Sequence, residues 1–108
     1  MSVSDEFLQY LLELLDFVPE LRSRRMFGAV GFYGEGLFFA LADDNVLYFK
    51  VDDSNRDDYL EAGMHPFQPV NDTKPMQYYE VPPEVLEDRG ELRLWTRRSI
   101  AVARRKQK

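Results

Sequence analysis

The chain has 108 residues, 44% of them apolar, a net charge of −5, abundant Phe and Tyr and no cysteine. This supports one hydrophobic core and excludes global disorder, disulfide frameworks, thiol catalysis and thiolate metal sites. No apolar run approaches the roughly 20 residues that span a bilayer, and the start Met1-Ser2-Val3-Ser4-Asp5-Glu6 is unlike a secretory signal, so a single cytoplasmic domain over 1–108 is expected.

Ser2-x-x-Asp5 reads as a capping box opening a helix, followed at helical spacing by Phe7, Leu8, Leu11, Leu12, Leu15 and Val18, with Pro19 ending the pattern. Three strand-like segments follow at 26–33, 37–41 and 46–51, separated by Gly34-Glu35-Gly36 and Asp43-Asp44-Asn45. Short turn-rich breaks between aromatic and β-branched runs predict antiparallel hairpins. Ser54-x-x-Asp57 gives a second capping-box pattern for a helix over 54–62, with Gly63 as terminator. Segments 67–70 and 76–81 are expected to add a fourth and a fifth strand, the former confined to an edge by Pro66 and Pro69. Pro82-Pro83 leads into a short acidic helical turn at 84–88. The last helix is predicted over about 90–105, with Leu92, Trp95, Ser99 and Val102 inward and Arg93, Arg97 and Arg104 outward. The expected fold is a two-layer α+β domain: helix, three-strand meander, helix, two strands, helices, with a mainly antiparallel sheet and the helices on one face.

Charge is unevenly distributed. Residues 1–88 hold six Lys/Arg against eighteen Asp/Glu, a balance of −12, whereas 89–108 hold eight Lys/Arg against Glu91, a balance of +7. The acidic body repels nucleic acid; the basic end at about 104–108 and the stripe before it do not. Arg93, Arg97, Arg98, Arg104, Arg105, Lys106 and Lys108 are therefore candidates for contact with DNA phosphates or an acidic partner, weak when unaided. Arg24, Arg25 and Phe27 are candidates for a docking surface, since they lead into the glycine-rich segment where a sheet backbone can be approached closely.

Catalytic and cofactor chemistry find no support. His65, the single histidine, has no spaced partners. A calcium loop opening at Asp53 requires glycine where Asp58 stands and glutamate where Met64 stands, so helix capping accounts better for the acidic cluster. Gly34-x-Gly36 lacks the third glycine of a dinucleotide fingerprint and leads into a strand. Residues 25–32 approximate the RNP1 signature of RNA-recognition modules but miss it at Met26 and Ala29 and fall on the expected first strand instead of the third. No serine or threonine has a nucleophile context. A non-enzymatic protein without cofactors is expected.

The same segments, taken together, resemble the amino-terminal domain of the TfoX/Sxy family of bacterial competence regulators. The matching stretches are Arg24-Arg25-Met26-Phe27-Gly28 with Gly31-Phe32-Tyr33, Gly36-Leu37-Phe38-Phe39-Ala40-Leu41, and Leu47-Tyr48-Phe49-Lys50-Val51-Asp52. Asn55-Arg56, Ala62-Gly63-Met64, Pro66-Phe67, Tyr78-Tyr79-Glu80-Val81-Pro82 and Trp95-x-x-Arg98 complete the set; Asp88-Arg89-Gly90-Glu91 departs from the usual turn into the last helix. The resemblance implies the helix and strand order given above. It also implies a role in transcription alongside the cyclic-AMP receptor protein and RNA polymerase, in a family whose members often carry a second, helical domain absent from this sequence. The alternative is a small dimeric protein-binding or chaperone-like domain unrelated to DNA, because both faces of 37–51 are rich in apolar residues and a homodimer would cover them.

Overall fold

A computed structural model describes residues 3–26, 28–67 and 77–106. Its frame is a five-stranded antiparallel sheet in which β1 (Arg22–Met26), β2 (Ala29–Gly34), β3 (Leu37–Asp43), β4 (Val46–Lys50) and β5 (Tyr78–Glu80) lie side by side in chain order. Helix α1 (Asp5–Leu14) precedes the sheet, α2 (Arg56–Glu61) joins β4 towards β5, and α3 (Pro83–Leu86) and α4 (Arg89–Lys106) close the chain.

The hairpins follow from their turn residues. Glu35 and Gly36 between β2 and β3, and Asp44 and Asn45 between β3 and β4, all have positive φ. That is the two-residue type I′ geometry, whose twist matches that of the flanking strands. Asn45 also accepts a hydrogen bond from the Ser4 N–H at 3.0 Å, tying the turn to the start of α1.

The expected strand over 26–33 is in fact the end of one strand and most of the next. β1 pairs with β2 from Arg22↔Tyr33 to Met26↔Ala29, so the meander starts one strand earlier than periodicity predicted. The reason is physical: Arg22-Ser23-Arg24-Arg25 is an edge segment exposed to solvent, and it carries no apolar alternation to announce itself. At the far side, the expected 76–81 strand forms as the shorter β5. Pro66 makes a single bridge to Tyr79 and the Phe67 N–H donates to the Tyr78 carbonyl, while 68–70 lie outside the described residues.

The helix starts also differ from expectation. Ser4, not Ser2, caps α1, its hydroxyl accepting from the Phe7 N–H at 3.1 Å. The helix stops at Leu14, ahead of Pro19, with no basic residue in its last turn to offset the dipole. The chain then turns so that Val18 packs under Gly34, where an added Cβ would stand 2.6 Å from Val18 Cγ1. At α2 the Ser54 capping box does not form. Asn55 is the N-cap residue, and its buried side chain turns back to the Asp52 N–H and the Lys50 carbonyl. Gly63 does terminate α2: its N–H reaches the Leu60 carbonyl and the Met64 N–H the Tyr59 carbonyl, a Schellman pair that favours glycine's positive φ.

One sheet face carries the core. Val30, Phe32, Ala40, Ala42, Leu47 and Phe49 occupy facing register positions on β2, β3 and β4 and are 0–2% exposed. The register shifts between Phe32 and Tyr33, making Phe39 an extra residue of β3, and both Phe39 and Ala40 are buried in the same cluster. Leu11 from α1, Leu15 just after it, and Leu92 and Ala103 from α4 pack against this face, joined by Tyr59 from α2 and Val85 from α3. The inward positions expected of α4 hold: Leu92, Ser99 and Val102 are buried, and Trp95 meets Tyr59 edge to face at 4.7 Å. All four helices thus pack on one side of the sheet.

Candidate docking surfaces

The first surface is the β1 edge. β1 pairs only with β2, so its outer backbone edge has no strand partner among the described residues. β5, the other edge, is instead flanked by His65 and Phe67, whose backbones bond to Glu80 and Tyr78. Alternation puts Arg22, Arg24 and Met26 on the face away from the helices, opposite Tyr33, Gly31 and Ala29, and turns Ser23 and Arg25 towards them. Arg25 is accordingly engaged. It pairs with Asp5 at 2.7 Å and donates to the Val3 carbonyl at 3.2 Å, pinning the amino end of α1. Arg24 is exposed and has no salt-bridge partner among the described residues. Phe27 lies outside the described residues.

The second surface is α4. Its arginines prove to be distributed between two tasks. Arg98 pairs with Asp58 of α2 at 2.5 Å, Arg104 with Glu35 of the β2–β3 turn at 3.1 Å, and Arg105 with Asp52 after β4 at 3.0 Å. Arg105 also donates to the Ser54 hydroxyl at 2.7 Å. These contacts span forty or more residues of sequence and strap the helix to the body. Arg93 lies over the Phe17 ring, 5.2 Å from its centroid. Arg97 is exposed and makes no salt bridge with any described residue, and Lys108 lies outside them.

Asp52 shows what this strapping does to a titration. Burial raises its pKa, but hydrogen bonds from the Ser54 hydroxyl and N–H, and the Arg105 guanidinium, outweigh that and bring it down to about 2.

The third surface is the sheet face away from the helices. Tyr33 stacks on Phe38 with ring centroids 5.1 Å apart, and Phe38 meets Tyr78 at 5.6 Å. Lys50 extends over both, its Nζ 5.7 Å from the Phe38 centroid and 5.6 Å from that of Tyr78. Farther along, Tyr48 packs on Phe67 at 4.8 Å. Sequence reasoning missed Arg22 and Lys50 as members of this face. The signal was the strand alternation around Tyr48 and Lys50, which becomes decisive only once the register is known.

The hydroxyls of Tyr59 on α2 and of Thr96 and Ser99 on α4 are buried, and the Tyr59 phenol faces the Ser99 hydroxyl. Burial pushes the Tyr59 phenol well above its ordinary pKa, so it stays a neutral core group. No group of three or more His, Cys, Asp or Glu among the described residues converges as a metal site, and no described helix is long and apolar enough to cross a membrane.

The family model described as the TfoX N-terminal domain matches residues 13–103, from the end of α1 nearly to the end of α4. No curated protein matches the chain.

Proposed function

The chain belongs to the TfoX N-terminal domain family, and on that premise we propose that it is a non-catalytic, cytoplasmic regulatory module that docks on transcription proteins in competence-type gene control. The observation that carries the docking surface is the open, arginine-rich edge of β1. An unpaired edge offers backbone donors and acceptors to an added strand, and Arg22 and Arg24 select an acidic one. A second copy of this chain is a poor occupant, since pairing β1 with itself would set arginine against arginine. By family resemblance the partner is the cyclic-AMP receptor protein or RNA polymerase.

Purified samples of each protein, tested against the immobilised chain by interferometry, check the reading. Saturable binding that weakens in Arg22→Ala and Arg24→Ala variants supports it. Binding that both variants retain in full removes β1 from the interface, and failure of both proteins to bind overturns the transcription role.

DNA contact belongs to this proposal only as a weak addition through the outward side of α4. A chain ending at Ala103 is a poor test, because it also removes the Arg104–Glu35 and Arg105–Asp52 straps. Arg97→Gln changes an exposed charge instead. A loss of DNA anisotropy in that variant, together with a steep fall in affinity as salt rises, identifies phosphate contact.

A second reading, a homodimeric binding domain, draws on the half-buried Tyr33 and Phe38 rings, on the sheet face away from the helices. Sedimentation equilibrium decides it: a monomer across the micromolar range discards the dimer.

A further inference from the structure

Beside the end of α4 the surface dips into a recess of about 220 Å³ lined by Gly36, Leu37, Phe38, Lys50, Ala103 and Lys106. It lies where the aromatic sheet face meets the helix, away from the β1 edge. Two ammonium groups border it, one from β4 and one from the last turn of α4.

Among the described residues, the charges around it leave these two without a carboxylate partner. Glu35, next to Gly36, is taken up by Arg104. Asp52 and Asp53, which line the adjoining recess that shares Lys106, are taken up by Arg105 and Arg56. Each bordering carboxylate thus has its own arginine, and among the described residues none pairs with either lysine. Lys50 sits over the Phe38 and Tyr78 rings, half-buried, and its pKa is lowered first by that burial and then by the like charge of Lys106. An anion between the two would relieve their repulsion. Gly36 borders it with φ +80°, and nothing lies within 4 Å of where a side chain would stand, so no side chain crowds that side of the recess.

We propose that this recess binds a phosphate monoester, held as a dianion between the ammonium groups of Lys50 and Lys106 beside Gly36. Charge matching selects the ligand. Two lysines match the charge of a monoester, which approaches −2 at neutral pH, whereas a carboxylate or a phosphodiester supplies only −1. Lysine serves as a point-charge phosphate ligand and needs no bidentate geometry.

The test is a titration of the intact chain followed by side-chain NMR of the lysine ε-methylene groups, at about pH 7.5, where the monoester is mainly a dianion, and at constant ionic strength. Inorganic phosphate should shift Lys50 and Lys106 saturably while Lys74 and Lys108 move little. Lys106→Met should weaken the affinity about tenfold, the loss expected of one charge-assisted contact, and Lys106→Arg should restore most of it. Lys106 ends α4, so this substitution leaves the core intact and Lys50 remains as the reporter. Phosphoserine and a nucleoside 5′-monophosphate, titrated in parallel, identify the source of the phosphate by which of them binds tighter. Equal shifts with acetate, uniform movement of all four lysines, or unchanged phosphate affinity in Lys106→Met would overturn the site.

Discussion

β1 carries three arginines in five residues and α4 six in eighteen, yet the fold puts them to different uses. In α4, Arg98, Arg104 and Arg105 reach carboxylates on α2, the β2–β3 turn and the segment after β4. In β1, among the described residues, only Arg25 is engaged in an ion pair, while Arg22 and Arg24 lie on the face and edge away from the helices. The difference teaches that a basic segment is a binding surface only to the extent that the molecule's own carboxylates have not claimed it. In an acidic body three of α4's six arginines are claimed by carboxylates among the described residues, because the helix lies across that body.

The comparison is sharpened first by asking what holds α4 down. If apolar burial anchors it and the arginines only trim its position, Leu92→Ala should cost about 2–5 kcal/mol in urea unfolding, as for other large-to-small core changes. A loss below about 1 kcal/mol would mean that the straps carry the helix.

The straps themselves should count for less. Both arginines are exposed, so Arg104→Gln with Arg105→Gln should lower stability by about 1 kcal/mol together, and added salt should shrink the difference. A salt-independent loss of several kcal/mol would break the division between anchor and strap.

Asp52→Asn gives the strap a pH signature. The folded pKa of about 2 lies below the ordinary 3.8. The stabilisation from the ionised Asp52 is therefore fully present above pH 3.8 and is lost as pH falls through about 2. Thermal melts of the chain and the variant should differ above pH 4 and converge as pH approaches 2; a constant gap throughout would remove the ion pair from the account.

The smallest expected effect on stability is at β1. Arg24→Ala should change unfolding free energy by no more than about 0.5 kcal/mol, as at other exposed positions. The same variant is expected to weaken partner binding. A destabilisation comparable with that of the α4 variants would show that Arg24 is claimed after all, and the comparison would fail.

The amino-acid sequence by itself determined the features that arise from neighbours in the chain. The turns around Glu35-Gly36 and Asp44-Asn45, the Gly63 stop of α2 and the inward stripe of α4 are set by local backbone preference and side-chain period, and they formed where these predicted. The family, too, was legible in segments spread along the chain. Only the tertiary structure decided the rest. β1 is a strand because β2 supplies its hydrogen bonds, although its own residues carry no strand pattern. Phe39 and Ala40 both face the core because of a register shift between two strands. Arg104 and Arg105 are claimed, and Lys50 and Lys106 are left, by carboxylates and a second lysine that arrive from other elements. The physical reason is range: turn chemistry acts over a few bonds, whereas the charge balance of a surface is fixed only when segments fifty or more residues apart are brought within a few ångströms.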